Sequence, residues 1–250
     1  MNTDKYFASR RTIRKYDTTR DIHASAIMEM LEDAAHAPNT GNMQIYSVII
    51  TKDEDGKKAL APAHFNQPAV MNASAVLTFC IDLNRFSHWC RINDTTPGFN
   101  NLQGFTWGVI DASIFAQQFC TIAEMNGMGT CYLGTTTYNA EPIAKALELP
   151  EGVIPVITVT VGYPAENPEI SDRLPIEAIA HLEKYHLADS AEIKNIYAEK
   201  EALPSSKQFI TENSKDNLAQ VYAEVRYPSE ANEKFSQVYR EFLKNQGIQI

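Results

Sequence analysis

One stretch of the chain, Trp107 to Met125, constrains the fold more than any other. Its apolar residues recur at helical spacing, but they occupy nearly every face of the helix instead of a single stripe. A helix that is apolar all round has to be buried on all sides, within a core or against another subunit. In a chain of 250 residues we favour a subunit interface for this helix.

Four apolar runs predict the strands of a sheet. They are Tyr46–Thr51, Ala75–Asp82, a short strand or turn over Met128–Gly134, and the β-branched run Val153–Val161. In the last run we expect Pro155 at the entry, because proline cannot donate to a ladder, and Gly162 at the exit.

Helical patterns alternate with these strands. Ser25–Ala37 and Glu141–Leu147 are predicted helices, and an apolar stripe predicts a tail helix between Ser229 as N-cap and Gly247 as C-cap. The polar segment Asn84–Gly104 predicts an irregular functional loop or lid. Since no repeat or flexible linker divides the chain, we expect a single domain over residues 1–250, with a helical C-terminal arm.

Charge and composition exclude several classes of protein. Lys and Arg total 22 against 31 Asp and Glu, which gives a net charge of −9 and argues against nucleic acid as a partner. No run approaches the ~18–20 apolar residues of a membrane span. The N-terminus lacks the basic start and apolar block of a signal peptide. We therefore expect a cytoplasmic protein with no membrane partner.

Metal chemistry has no support in the sequence. The four cysteines form no C-x-x-C pair and are interpreted as small core residues or free thiols, and the six histidines form no H-E-x-x-H pattern. The cysteines are Cys80, Cys90, Cys120 and Cys131. We expect no metal site.

The first twenty residues form a basic island on this acidic chain. They carry six Lys and Arg against two Asp, a net charge of +4. Arg10, Thr12 and Arg14 alternate, so in an extended segment they point to one side, and guanidinium groups match phosphate oxygens. The alternative is a solvated basic helix end.

Known nucleotide and hydrolase motifs are absent: there is no G-x-G-x-x-G, no P-loop and no G-x-S-x-G. An enzyme built on this chain would therefore take its chemistry from a cofactor. Polar side chains suited to a ribityl chain or a heteroaromatic edge occur in turn-like segments, where a plain turn is the alternative interpretation. They are Asn39, Thr40, Asn42, Gln44 and Gln67, and Arg173 in a late proline-rich loop could return to a phosphate.

Four motifs in order resemble the nitroreductase family. They are Arg10–Tyr16, Pro38–Gln44, Tyr132–Thr135 and the segment Gly162–Pro175 with its proline spacing and Arg173. The greatest similarity is to the branch of NADPH-linked nitroreductases and flavin reductase P. It covers about residues 8–183, which leaves 184–250 as a helical C-terminal extension.

The resemblance implies an α+β sandwich with a central mixed sheet flanked by helices, and a homodimer that holds FMN at the subunit interface. Arg10, Thr12, Arg14 and Arg173 correspond to phosphate contacts, and Arg11 belongs to the same motif. The positions that correspond to ribityl and isoalloxazine contacts are Asn39, Thr40, Asn42, Gln67, Tyr132, Leu133, Gly134 and Thr135. Ser171 stands where relatives often carry lysine, Asn39 replaces serine, and Thr135 replaces glycine.

The activity that the resemblance implies is FMN-dependent oxidation of NADPH or NADH. A nitroaromatic, a quinone or a similar planar acceptor would be reduced by a ping-pong mechanism. No catalytic side chain is expected, because the flavin carries the chemistry. The alternatives are a flavin reductase, a reductase of a specific metabolite on the same scaffold, or a non-catalytic protein that stores flavin.

Overall fold

The computed structural model describes residues 3–250, with side chains from Tyr6 onward. The chain divides into two compact units. The first runs up to Glu169 and resumes over Ser236–Ile250, and the second is Ile170–Phe235. The single domain over 1–250 stays a prediction.

A four-stranded sheet forms the centre of the first unit. Its strands are β1 (Tyr46–Thr51), β2 (Ala75–Asp82), β3 (Gly129–Leu133) and β4 (Val153–Gly162), in the order β1-β2-β4-β3. All four predicted strands are confirmed. Every described pair is antiparallel, which differs from the mixed sheet expected. The connection from β1 to β2 leaves and returns at one end, where Thr51 pairs with Val76, and this requires the antiparallel direction.

Pro155 lies inside β4 and not at its entry. It is the third residue of a central strand and pairs with Cys80, where the register shifts between Phe79 and Cys80. A central strand accepts proline at such an irregularity because no ladder hydrogen bond is required from the missing N–H.

Helices surround the sheet. Those of the first unit are α1 (Thr3–Ser9), α2 (Ala24–Ala34), α3 (Glu54–Leu60), α4 (Pro68–Asn72), α5 (Leu83–Ile92), α6 (Leu102–Met125) and α7 (Ala140–Ala146). The second unit contains α8 (Ser190–Ala202), α9 (Pro204–Glu212) and α10 (Leu218–Gln220), which continues as a π-helical turn over Val221–Arg226. The last helix, α11 (Ser229–Asn245), starts in the second unit and ends in the first. No helix within residues 3–250 has both the length and the apolarity that crossing a bilayer requires.

The predicted loop over Asn84–Gly104 is wrong, because α5 occupies much of it. The carboxylate of Asp82 caps α5 by accepting from the backbone N–H of Arg85, and only Leu83 and Ser87 of this helix are buried. Leu83, Phe86 and Cys90 recur at helical spacing, but this apolar stripe is short and lies among polar and exposed residues, so it is easily missed. The end of the segment belongs to α6, whose N-cap is Asn101.

The long helix α6 packs on the sheet through one face. Ala112, Phe115, Ala116 and Phe119 are buried there, and the Phe115 ring meets Phe79 of β2 edge to face at 5.3 Å. A Cβ at Gly108 would lie 2.4 Å from the Ile81 side chain, so glycine permits the close approach of α6 to β2. The opposite face leaves Leu102 61% and Ile110 48% exposed. Within the described chain, α6 is therefore buried on one face and not on all sides.

The end of α11 completes the core of the first unit. Gly247 has φ +78°, and the N–H groups of Gly247 and Ile248 donate to the carbonyls of Lys244 (2.9 Å) and Leu243 (3.0 Å). This is the glycine C-terminal motif, so the prediction for Gly247 is confirmed, whereas Ser229 is the first helical residue and not the cap. Phe242, Leu243 and Ile248 are buried in the same cluster as the sheet.

Candidate functional site

The segment Arg10–Tyr16 runs along the ends of β3 and β4. The N–H of Ile13 donates to the Thr130 carbonyl (3.0 Å), and Tyr16 forms a β-bridge with Pro164. Both Ile13 and Tyr16 are buried, and the Tyr16 hydroxyl donates to the carbonyl of Ile13 (2.9 Å). The segment is therefore held in place by these two buried residues and by its backbone contacts with the ends of β3 and β4.

Glu124, near the end of α6, organises the start of this segment. Its buried carboxylate forms a two-point ion pair with Arg10, with Nη2–Oε1 at 3.2 Å and Nε–Oε2 at 3.3 Å. The hydroxyls of Tyr6 and Thr130 also donate to it. Burial, together with the bond to Glu124, raises the pKa of Tyr6. Arg10 in turn donates to Thr12 Oγ1 at 3.5 Å. Glu124 was not predicted.

Arg11 and Arg14 differ in what they contact. The Arg11 guanidinium donates to Asn167 Oδ1 (2.7 Å) and to the Pro168 carbonyl (2.9 Å). For Arg14 it is the backbone N–H that donates, to Glu166 Oε1 at 2.6 Å, and this bond lowers the pKa of Glu166. Among the described side chains, the exposed Arg14 guanidinium has no hydrogen bond or ion pair. It is therefore available to an anion.

A histidine joins two of the predicted groups. His64 Nδ1 lies 2.7 Å from Thr135 Oγ1, just beyond β3, and the Gln67 N–H donates to the His64 carbonyl (3.2 Å). The Asn139 amide supports this link by donating to the Ala63 carbonyl (2.7 Å). The structure thus links Gln67 to Thr135, which follows Tyr132, Leu133 and Gly134, through His64.

His64 is fully buried, and its Nε2 has no partner within the described residues. Burial lowers the pKa of His64 to about 4, so the ring is neutral at pH 7. Sequence analysis missed its role, since a histidine between alanine and phenylalanine carries no local signal.

The turn before β1 is anchored separately. The N–H and the hydroxyl of Thr40 both donate to Asp111 Oδ1, at 3.0 and 2.9 Å. The Gln44 amide donates to Asn42 Oδ1 (3.1 Å), and its backbone N–H donates to Asn39 Oδ1 (3.4 Å). The other oxygen of Asp111, Oδ2, is buried without a partner in the described chain. Asp111 was likewise not predicted.

The two anchored segments are attached to distant positions on helix α6. Glu124 holds Arg10 and Asp111 holds Thr40, and the separation of thirteen positions between the two carboxylates corresponds to about 20 Å of helix. The two segments also adjoin opposite outer strands, β3 and β1. One chain therefore presents the predicted residues in two separate groups.

Arg173 belongs to the second unit. Its Nη1 donates to the carbonyls of Ser171 (3.2 Å) and Asp172 (2.8 Å), and its side chain is exposed. Its predicted association with Arg10 and Arg14 stays a prediction. Of the basic island, the side chains of Asp4 and Lys5 lie outside the described part of the structure.

Comparisons with known proteins agree on one family. The model described as "Nitroreductase family" matches residues 7–163. An FMN reductase [NAD(P)H] of Bacillus subtilis is 28% identical, over 98% of this chain and 97% of its own. An oxygen-insensitive NADPH nitroreductase of Salmonella typhimurium is 30% identical, over 75% of this chain and 76% of its own. A crystallised protein of Bacteroides fragilis is 48% identical over the whole of both chains, with a TM-score of 0.95.

Proposed function

Because this chain belongs to the nitroreductase family, we propose that it is an FMN-dependent oxidoreductase that takes electrons from NADPH or NADH. The observation that carries the proposal is the exposed Arg14 guanidinium, which has no partner among the described side chains and lies two residues from Thr12. A cation and a hydroxyl two residues apart on one anchored segment suit a phosphate monoester.

The side chains along the β3 edge fit FMN. Arg14 is the cation free to meet the phosphate, while Arg10 shares its charge with Glu124 and orients Thr12. Arg11 positions the segment through Asn167. Gln67 and the Tyr132–Thr135 backbone supply amide and carbonyl groups for the ribityl chain and the ring. Bound FMN supplies the hydride-accepting and electron-donating chemistry.

The second group of predicted residues favours a homodimer. Asn39, Thr40 and Asn42 lie about 20 Å along α6 from the Arg10 end of the chain. A two-fold axis beside α6 would bring the Thr40 end of one copy to the Arg10 end of the other, completing the site from two chains. The exposed Leu102 and Ile110 supply apolar surface on α6 for such a contact.

The acceptor is a small planar molecule, a nitroaromatic or a quinone. Nicotinamide and acceptor would occupy one pocket in turn, since both have to reach the same flavin. This ordering is a ping-pong mechanism, and the enzyme would act in the cytoplasm. A flavin reductase is the second candidate, which the name of the Bacillus subtilis relative favours.

The first test concerns Arg14. Arg14→Ala removes charge-assisted hydrogen bonds worth about 1.5–3 kcal/mol, so FMN affinity should fall about 10- to 150-fold. Riboflavin, which has no phosphate, should bind the variant and the parent equally. Flavin fluorescence titration at fixed salt measures both affinities. Lys15→Ala, an exposed neighbour, is the matched control. Unchanged FMN affinity in folded Arg14→Ala would contradict the phosphate assignment.

Steady-state kinetics test the ping-pong mechanism, and light scattering tests the homodimer. Double-reciprocal plots of NADPH against a quinone should be parallel, and light scattering should give twice the mass of one chain, 28.0 kDa. Intersecting plots would contradict the shared pocket, and a monomer that still binds FMN would contradict the two-chain site. Protein that binds FMN and never oxidises NADPH or NADH would be a storage protein.

A further inference from the structure

A separate polar cavity of 370 Å³ lies in the first unit, between α3 and the end of α4. Charged and polar residues line it: Arg20, Asp21, Lys52, Lys57, Asn72 and Ser74. None of them belongs to the proposed cofactor site, so a ligand of this cavity would be independent of the cofactor.

Lys57 is the unusual member of the lining. Its side chain comes from α3 and is only 9% exposed, and its Nζ donates to the Ala73 carbonyl at 2.5 Å. No carboxylate among the described side chains lies within 4 Å of this ammonium. An ammonium has three donors, and buried lysines are almost always paired. The site therefore lacks one counter-charge.

The electrostatic surroundings agree with that deficit. Burial lowers the pKa of Lys57, and the nearby Lys52 acts in the same direction. The carboxylates of Asp21, Asp53 and Glu54 favour the charged form but do not restore the ordinary value. The pocket thus holds a cation with less compensation than water would give it.

Two further cations share the cavity. The Lys52 ammonium is paired with Asp21 at 3.0 Å and also donates to the Ile22 carbonyl. Arg20 lies over the Tyr163 ring, 3.5 Å from its centroid, and forms no ion pair with a described side chain. Three cations and one carboxylate give the lining a charge of +2, on a chain whose net charge is −9.

We propose that this cavity binds a small dianion of the phosphate type, held by Lys57 from within and by Lys52 and Arg20 at its side. Lysine ammonium groups bind phosphate as point charges, and two excess positive charges match a phosphate dianion. The 370 Å³ volume also accepts a phosphomonoester, so free phosphate and a phosphorylated metabolite are two sources of the same group. The competing explanation is purely structural: Lys57 caps the C-terminal carbonyl of α4.

Calorimetric titration of the FMN-loaded protein with inorganic phosphate tests the site, with sodium chloride holding the ionic strength constant. Saturable binding is expected, and Lys57→Met should weaken it at least tenfold. The matched control is Lys58→Met: Lys58 is the next residue of α3, exposed and paired with Glu54 at 2.6 Å. It should change the affinity less than twofold. Absence of saturable binding, or equal affinity in Lys57→Met, would overturn the proposal.

Reductive methylation of the parent protein, followed by mass spectrometry, needs no variant. It therefore tests phosphate binding at Lys57 even where Lys57→Met fails to fold. Phosphate should slow labelling of Lys57 and Lys52 several-fold and leave Lys58 unchanged. Equal labelling of Lys57 with and without phosphate would leave only the capping role.

Arg14→Ala separates this site from the cofactor site. The variant should retain phosphate binding in the cavity, whether or not the chain takes FMN. Loss of phosphate binding in Arg14→Ala, with retention in Lys57→Met, would place the phosphate on the cofactor segment and overturn the proposal. Repeating the titration with glucose 6-phosphate reports whether the cavity admits a phosphomonoester.

Discussion

Two buried carboxylates on one helix hold the two groups of candidate site residues, and they do so differently. Glu124 accepts from Tyr6, Thr130 and Arg10, so both of its oxygens have partners. Asp111 accepts twice from Thr40 through Oδ1, while its buried Oδ2 has no partner in the described chain. Both oxygens of Glu124 are therefore engaged, whereas only one oxygen of Asp111 is engaged by a described residue.

The two ends of α6 therefore anchor their segments through different numbers of contacts. At the Glu124 end, an ion pair fixes a segment that is already held by backbone contacts with β3. At the Asp111 end, a single threonine ties a polar turn to the helix. The Arg10 segment is therefore fixed by several contacts, whereas the contact of the polar turn with α6 depends on Thr40 alone.

Glu124→Ala should have the largest effect on this comparison. It leaves Arg10, Tyr6 and Thr130 without their shared acceptor, and breaking a buried ion pair costs about 3–5 kcal/mol of unfolding free energy. We expect about 3 kcal/mol, at the low end, because Arg10 is 24% exposed. Urea denaturation followed by circular dichroism measures this loss. The exposed Glu141 gives the control, Glu141→Ala, and a loss below about 1 kcal/mol for Glu124→Ala would contradict the network.

Acid should lower the free energy of unfolding because His64 is buried in its neutral form. Its folded pKa of about 4 lies below the unfolded value of about 6.5, so the unfolded chain binds the proton more readily. This contribution to stability is complete above pH 6.5 and is lost as the pH falls towards 4, by about 3 kcal/mol in all. Urea midpoints across this range should fall less steeply in His64→Asn. The exposed His36→Asn is the control, and parallel pH profiles for His64→Asn and the parent would contradict the prediction.

Asp111→Asn should have the smallest effect. The amide oxygen still accepts from Thr40, and the change removes a buried charge whose second oxygen had no partner. We expect the unfolding free energy to change by less than about 1 kcal/mol, whereas Glu124→Gln, which removes an ion pair, should cost more. Comparing the two variants by urea denaturation sharpens the contrast between the carboxylates. Equal losses in both would show that the two ends of α6 are equivalent.

Local patterns were sufficient to predict much of the fold. The strands follow from apolar runs, and Gly247 follows from the end of an apolar stripe, since both signals lie within a few residues. Helix α5 was missed because it buries only two side chains, and Pro155 was misplaced because its tolerance depends on a register shift with β2. Both errors concern features decided by packing partners elsewhere in the chain.

The same limit applies to the candidate site. The alternation of Arg10, Thr12 and Arg14 is visible locally, whereas the contacts that position the segment come from distant residues of β3 and β4. Glu124 lies 114 residues away from Arg10, and Asp111 lies 71 from Thr40, so neither pairing leaves a trace in a short window. Asp111 and Glu124 are each an isolated carboxylate within an apolar helix pattern, and this is the local signal that points to a buried partner.

The return of the chain end to the first unit has a consequence for protein synthesis. Phe242, Leu243 and Ile248 fill the same cluster as the sheet and α6, although the sheet itself ends at Gly162. A ribosome therefore releases every strand of this unit before the residues that close its core. The intervening stretch of about 80 residues takes roughly 4–16 s to translate at 5–20 residues per second. For that interval the nascent unit carries an open hydrophobic seam, which closes only when Phe242, Leu243 and Ile248 become available.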